Sequence, residues 1–367
     1  MASTINSDTS NGVIITPDTS GEIELQANGV TKAKVTANGL QDANGNSLRG
    51  GMYRNLLING NFDIWQRGTS ISLSGSAYTA DRFKVGAASG SFARQSFTLG
   101  QTEVPNEPSY YGRWTINSNS QNYEVHQRIE DVRTLAGQTA TLSFYARRPS
   151  GSTTINARIV QYFGTGGSPS ATVVTSLGTV ALTTDWQKFT FTVNVPSISG
   201  KTLGTDNNHS LWVGVQITDT NTGTIDFSQI QFEKGDIATP FEHRPYDMEL
   251  ARCQRYYQKS HAQGTAPAVA SFNGNSPETV QQFWNSGNTQ LAGQQFFLKQ
   301  EMRANPSATI YDYSNNIGKV TALSGGGAGT NNVTPNTIKA YHDKFVVLMY
   351  GVTYYGIAFA YTMNAEL

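Results

Sequence analysis

The chain is expected to be mainly β, and three observations carry that expectation. Charged residues make up only 14% of its 367 positions, where globular chains average roughly a quarter, and Gly, Ser, Thr and Asn fill the difference. Short runs of alternating apolar and polar residues recur between Gly, Pro, Asn and Ser clusters, the pattern of half-buried strands joined by turns. Helical spacing can be read once, where Leu250, Cys253 and Tyr257 fall at i, i+3 and i+7. In chain order this gives a strand-rich segment at 1–50, an antiparallel β-sandwich at 51–245, a connecting helix at 246–262 and a second, sandwich-like β body at 263–367.

Segment 1–50 is poor in large apolar side chains: Ile14, Ile15, Ile23, Leu25, Val30, Val35, Leu40 and Leu48 are nearly all of them. It repeats after ten residues, Ala27-Asn28-Gly29-Val30 being echoed by Ala37-Asn38-Gly39-Leu40, and Asn-Gly between alternating residues signals hairpins. Ile23, Leu25 and Ala27 then share a face. A lone hairpin is marginal in water, so such a segment either stays unfolded or takes its missing surface from other copies of itself, and triplication is the expectation.

Alternation assigns faces in the sandwich. Leu142, Phe144 and Ala146, then Ile155, Ala157 and Ile159, then Phe189, Phe191 and Val193, then Leu211, Val213, Val215 and Ile217 all point inward. Residues 55–62 are expected as the first strand and 224–233 as the last. Pro240 and Pro245 then stop regular structure and push Thr239 and Arg244 towards extended geometry, which makes this region a hinge, with Asp247 capping the helix that follows. The final body holds a Gly- and Asn-rich loop at 324–337. Its last strand sets Tyr355, Ile357, Phe359, Tyr361 and Met363 on one face and Tyr354, Gly356, Ala358, Ala360 and Thr362 on the other, where small side chains would admit another backbone.

Composition excludes several function classes. Lys plus Arg and Asp plus Glu are each 26, so no basic excess exists for nucleic acid and no polybasic run for an anionic membrane. No apolar run approaches the roughly 20 residues of a membrane helix. A single cysteine, Cys253, and an N-terminus without charged and apolar signal blocks point to synthesis in a cytoplasm. The sequence has no GxxxxGK[ST], HExxH or GxSxG, and its five histidines are dispersed. Asp81, Asp219, Asp226, Glu233 and Glu242 are the carboxylates from which a glycosidase pair could be drawn.

Sugar binding needs aromatic planes for C–H faces and Arg, Asn, Gln or His for hydroxyls, on one surface. Outside the core register stand Tyr145 with Arg147, Arg158 with Tyr162, Trp186 with Lys188, Trp212 with Gln216, and His126 with Arg128. These residues form either a glycan platform or a second packed layer against a subunit or the helix.

Three stretches carry a resemblance: RNLLINGNFDIWQRG at 54–68, QRIEDVRTLAGQTATLSFYARR at 127–148 and QFEKGDIATPFEHRPYDMELARCQRYYQKS at 231–260. Together they resemble tail-fibre receptor-binding proteins of tailed bacteriophages, which carry a jelly roll like that of carbohydrate-binding modules. The resemblance implies a homotrimer whose N-terminal segment attaches to the phage tail or an adaptor protein. The protein would reside in the virion and bind host surface glycan such as lipopolysaccharide, with no catalysis and no required cofactor. It leaves open a polysaccharide-degrading tail spike, or a purely structural tail or capsid fibre. Host contact is expected at the distal body, with Gly325, Asn331 and Asn332 as loop candidates. The resemblance also implies a structural calcium held by Asn61 and Asp63 of the NGxF region and Asp226 of the last strand. That strand carries less acid than the family pattern, and a solvated or salt-bridged Asp226 is the competing expectation.

Overall fold

The computed structural model describes residues 22–27, 29–36, 39–42, 53–118, 123–218, 222–267, 280–283, 292–323, 329–349 and 356–367. The expectations for Ile14, Ile15, Leu48, Asp219, Gly325, Tyr354 and Tyr355 fall outside them. The protein is mainly β, with one helix among the described residues.

Strands β1 (Ile23–Ala27), β2 (Val30–Thr36) and β3 (Gly39–Asp42) form an antiparallel sheet of their own. Pairing of Ile23 with Val35, Leu25 with Ala33 and Val35 with Leu40 gathers these apolar residues on one face. Leu25 stays 50% exposed and Leu40 42%, so nothing among the described residues buries them. Lys34 bonds to Glu22 and Glu24 beside them.

Ten strands build the sandwich: β4 (Ser70–Tyr78), β5 (Phe83–Ser96), β6 (Tyr110–Ser118), β7 (Glu124–Glu130), β8 (Thr139–Arg147), β9 (Thr153–Tyr162), β10 (Val173–Leu182), β11 (Gln187–Asn194), β12 (Ser210–Ile217) and β13 (Gly223–Lys234). All pairings are antiparallel, in the order β10-β9-β12-β7-β5-β6-β13-β8-β11, with β4 on β5. The long β5 joins the layers: Phe83 to Val85 pair with β7, while Gly90 to Ser96 pair with β6. The register breaks between Ser89 and Gly90, where a side chain would meet the Thr115 carbonyl; an irregularity with glycine at the contact lets the strand turn from one layer to the other.

The core follows the alternation. Leu142, Phe144, Ala146, Ile155, Ala157, Ile159, Phe191, Val193, Leu211, Val213, Val215 and Ile217 are buried together, with Phe189 packed at the margin. Residues 55–62, expected as a strand, instead run irregularly beside β13. Asn55 Oδ1 accepts the Phe232 amide, and Asn59 and Phe62 take left-handed φ of 62° and 59°, which breaks any ladder.

Helix α1 (Tyr246–Gln254) is shorter than expected and is not capped by Asp247; Pro245 stands at its N-cap without a side-chain cap. Tyr257 is not on the helix. It opens β14 (Tyr257–Lys259), which pairs with the last strand of the chain. The second body comprises β15 (Val280–Phe283), β16 (Ala292–Phe297), β17 (Ser307–Tyr311), β18 (Val320–Leu323), β19 (Gly329–Val333), β20 (Thr337–Ala340), β21 (Lys344–Met349) and β22 (Gly356–Asn364). β22 pairs with β14, β15, β17 and β18, while β16, β21 and β20 form a separate sheet. Ile357, Phe359, Tyr361 and Met363 lie in this body's core. Ala358 and Ala360, expected to face another subunit, are fully buried within the chain, because four strands of the same chain flank β22.

The region read as a hinge is a packed seam. Glu366, just past β22, bonds to the buried guanidinium of Arg82 and, at 3.2 Å, to Arg67. Those two guanidiniums lie 3.3 Å over the Tyr256 ring and 3.8 Å over the Tyr257 ring. Arg255 grips Glu130 of β7 with two bonds of 3.0 and 3.1 Å. Cation–π stacking and bidentate pairing of this kind fix orientation as well as adding energy.

Candidate functional site

The six sandwich residues singled out from sequence lie on two opposite surfaces. Trp212, Gln216, Arg158 and Tyr162 share the outer face of the sheet containing β9, β12 and β7. Cross-strand register builds it in rows. Trp212 stands opposite Arg128 and Val160; Gly214 opposite His126 and Arg158; Gln216 opposite Glu124 and Asn156. Lys84 continues the middle row beyond His126, and Tyr78 beyond Lys84.

Trp212 is the centre of the aromatic part. Its ring stacks on His126 at 5.2 Å and 14°, meets Tyr162 at 5.5 Å, and lies 3.9 Å beneath the Arg128 guanidinium. Its indole N–H donates to Ser210 Oγ at 2.9 Å, so the ring is fixed edge-on while remaining half-buried. Gly214 leaves the middle of the face without a side chain. A Cβ there would sit 2.2 Å from the Val125 carbonyl, so glycine is what permits β12 to approach β7 this closely.

Charges on this face are arranged unevenly. Arg158 donates to Glu124 Oε2 through Nε at 2.9 Å and to Gln216 Oε1 through Nη1 at 3.0 Å. Burial works to raise the Glu124 pKa, but His126 and Arg158 overcome it and hold the carboxyl down at about 2. Burial pushes His126 below its ordinary value against the pull of Glu124. Its Nδ1 lies 3.1 Å from Glu124 Oε1 but out of line for a hydrogen bond, and its Nε2 is buried without a partner. Arg128 donates to the Leu367 carbonyl, yet its Nε is buried with no partner. Burial also lowers the Lys84 and Arg128 pKa values. Sequence reasoning missed Lys84, Glu124 and Gly214; an isolated glycine inside an alternating strand was the available signal.

Tyr145 and Trp186 belong to the outer face of the other sheet, where they are packed. Trp186 is 8% exposed and shares a small cluster with Val104 and Tyr111, with Phe97 and Tyr145 at its margin. It is therefore a covered side chain and not part of an open platform, a correction to the sequence reading. The segment 97–109 does the covering, tied down by Gln229 Nε2 donating to the Pro105 carbonyl at 2.6 Å.

Asp226 lies on the same face. Its Oδ1 accepts Arg113 Nε at 2.7 Å, and its Oδ2 accepts Arg113 Nη2 at 2.9 Å and Arg147 Nε at 3.0 Å. Both oxygens are occupied by guanidinium cations. Asn61 instead donates to Asp63 Oδ2 at 3.1 Å, and no group of three acidic, His or Cys side chains able to hold a metal exists among the described residues. Asn61, Asp63 and Asp226 thus do not fit the calcium site that the resemblance implied; the salt-bridged Asp226 is what stands there.

The other carboxylates are bound into the fold. Asp81 is buried and accepts Gln66 N and Nε2 at 2.6 and 2.7 Å, and burial pushes it up to about 6 against Arg67. Glu233 accepts from Thr239 and Gln231. Glu242 accepts the backbone amides of Tyr53, Arg54 and Asn55. In the second body, Asn331 is held at both ends, accepting from Thr321 Oγ1 and donating to Ser314 Oγ, each at 2.7 Å. Asn332 has a left-handed φ of 64° and donates its amide to Asp312 Oδ2. Both lie in β19 and tie that strand to the turn at 312–316.

No family model and no curated protein matches the sequence. Among solved structures, the chain is similar to the C-terminal family 22 carbohydrate-binding module of Clostridium thermocellum Xyn10B, with 14% identity and a TM-score of 0.33 over 50% of this chain and 98% of that one. It is similar to the CBM22-1 xylan-binding domain of Paenibacillus barcinonensis Xyn10C, with 13% identity and a TM-score of 0.31 over 50% and 96%. It is also similar to the enzymatically active domain of bacteriophage CBA120 tailspike protein 4, with 11% identity and a TM-score of 0.30 over 50% of this chain and 22% of that one.

Proposed function

We propose that the protein binds a surface glycan on the Trp212 face without cutting it, as the receptor-binding protein of a tailed-phage fibre. The observation that carries the binding half is one aromatic plane, half-exposed and edge-fixed, with Arg128 at 3.9 Å, Tyr162 at 5.5 Å and hydrogen-bonding side chains in the next row. A sugar ring lies its C–H face on the exposed part of Trp212 and Tyr162 while Arg158 and Gln216 meet its hydroxyls. Non-catalytic binding is favoured because Asp81, Asp226, Glu233 and Glu242, the four of the five candidate carboxylates that are described, all have structural partners, which leaves no free pair among them for glycoside hydrolysis.

The phage assignment rests on the motifs at 54–68, 127–148 and 231–260. In this reading residues 1–20 attach to the tail or an adaptor, and three copies join through the β1–β3 sheet. Its apolar face of Ile23, Leu25, Ala33, Val35 and Leu40 has no full cover among the described residues. Three weak sites on one fibre gain by avidity, about 10² to 10⁴ in apparent affinity without new contacts. The host ligand is an outer surface polysaccharide of the lipopolysaccharide type.

The test is adsorption of the full-length protein to host cells and their extracted polysaccharide, with sedimentation of the same sample. Binding by a trimer, weakened about tenfold by Trp212→Ala in a folded protein, is expected. A monomer at micromolar concentration removes the assembly, and full binding by Trp212→Ala removes the site.

A further inference from the structure

A polar cavity of about 230 Å³ opens where the sandwich meets the second body, lined by Glu130, Asp131, Asn207, His209, Arg255, Arg303 and Leu367. That is room enough for a sugar ring. It continues the Trp212 face. Glu130 pairs with Ser210, which pairs with Tyr162, so its wall lies one row beyond Trp212 and Arg128, about 7 Å along the strands.

The cavity is closed on one side by the end of the chain's last strand. Leu367 O accepts from Tyr78 Oη at 2.6 Å and from Arg128 Nη1 at 2.8 Å, and Ala365 O accepts from Arg303 Nε at 3.0 Å. A polymer lying across Trp212 therefore meets a wall, and a walled site receives a chain end where an open groove receives a chain middle.

Its lining carries charges of both signs, Glu130 and Asp131 against Arg255 and Arg303. Glu130 is taken by the bidentate contact with Arg255, and Asp131 lies 3.0 Å from Arg133 and 3.4 Å from His209. Arg303 makes no ion pair within 4 Å among the described residues, although Glu130 feels its charge, and its Nε donates to the Ala365 carbonyl. The remaining guanidinium N–H groups of Arg303 form a fork that matches a carboxylate.

We infer that this seam cavity seats the terminal residue of an acidic saccharide, its carboxylate on Arg303, while the preceding sugar stacks on Trp212. This rests on the Trp212 face being a saccharide platform. It also means that both bodies contribute to one site, the sandwich through His209 and Trp212 and the second body through Arg303.

The experiment is calorimetric titration of the full-length protein with oligosaccharides ending in a hexuronic acid or a keto-deoxy sugar acid, each beside its carboxyl-reduced neutral counterpart. The acidic probes should bind about tenfold or more tighter than the reduced ones. Arg303→Gln should remove that preference while leaving the weaker neutral binding, and Arg303→Lys should restore part of it. Thermal melts of both variants check folding. Equal affinity for acidic and reduced probes, or a preference that survives Arg303→Gln, overturns the inference and leaves the Trp212 platform standing. Binding of extracted host polysaccharide with no binding of any acidic-ended probe does the same. Failure to bind both the probes and the host polysaccharide removes the platform itself.

Discussion

Trp212 and Trp186 stand on opposite outer faces of one sandwich, each with an arginine over its ring, at 3.9 Å for Arg128 and 4.9 Å for Arg147. Around Trp186 the chain has closed its own surface. Segment 97–109 folds over the ring, and Asp226 neutralises the neighbouring arginines. Around Trp212 the cover is partial: Arg128 and His126 lie against the ring, and no loop among the described residues folds over it. The ring stays half-buried, and an imidazole nitrogen and a guanidinium nitrogen beside it are buried without hydrogen-bond partners among the described residues. Identical residue types thus make a structural layer where the fold satisfies them and, in the proposed function, a recognition surface where it leaves them unsatisfied, because unmet polar groups beside an aromatic plane favour a ligand that supplies both.

The largest effect that can sharpen this contrast is Trp186→Ala. Removing a buried tryptophan should cost about 3 to 5 kcal/mol by chemical denaturation, against about 1 for Trp212→Ala. Equal losses would make the two faces alike and end the comparison. Asp226→Ala comes next, leaving two guanidiniums uncompensated. The expected cost is about 3 kcal/mol, at the low end for a buried pair because Arg113 and Arg147 are 29% and 23% exposed.

Acid separates the faces further. Glu124 titrates at about 2 when folded, below the ordinary 4.5, so the folded state binds its proton less readily than the unfolded chain does. Its contribution is present above pH 4.5 and is lost as pH falls towards 2, on the order of 2 kcal/mol after allowing for screening. Asp81 acts in the opposite sense: its folded pKa of about 6 makes stability rise as pH falls from about 6 to about 4. Glu124→Gln should flatten the acid limb of a stability–pH profile, and an unchanged limb would place the Arg158–Glu124 pair outside the fold's acid response. The smallest effect expected is that of calcium. An occupied site at a hundred times its dissociation constant adds about 2.7 kcal/mol, and replacing chelator with Ca²⁺ should leave the melting temperature within about a degree. A clear rise would show donors other than Asp226 at work.

The sandwich core was legible because a period of two assigns each strand residue to a face without knowledge of its neighbours, as Leu142, Phe144 and Ala146 illustrate. Which outer face would be covered was not legible. Trp186 precedes β11 and lies outside any strand parity, and the cover arrives from a loop about 80 residues earlier in the chain. The saturation of Asp226 depends on β13 lying between β6 and β8, a register that spacing along the chain does not encode. The helix ended early for a similar reason: β14 pairs with residues more than 100 positions later, and that pairing overrides helical spacing through Tyr257. On the candidate face, Trp212, Tyr162, Arg158 and Gln216 were visible as outward residues, whereas their convergence with Lys84 and Glu124 required the strand order β9-β12-β7-β5.

The most direct measurement is oxidative footprinting of the two tryptophans by mass spectrometry, on the full-length protein with and without host polysaccharide. The account predicts that Trp186 is poorly reactive in both samples and that Trp212 is oxidised readily alone and several-fold less when polysaccharide is bound. Bound polysaccharide that leaves Trp212 oxidation unchanged would contradict it.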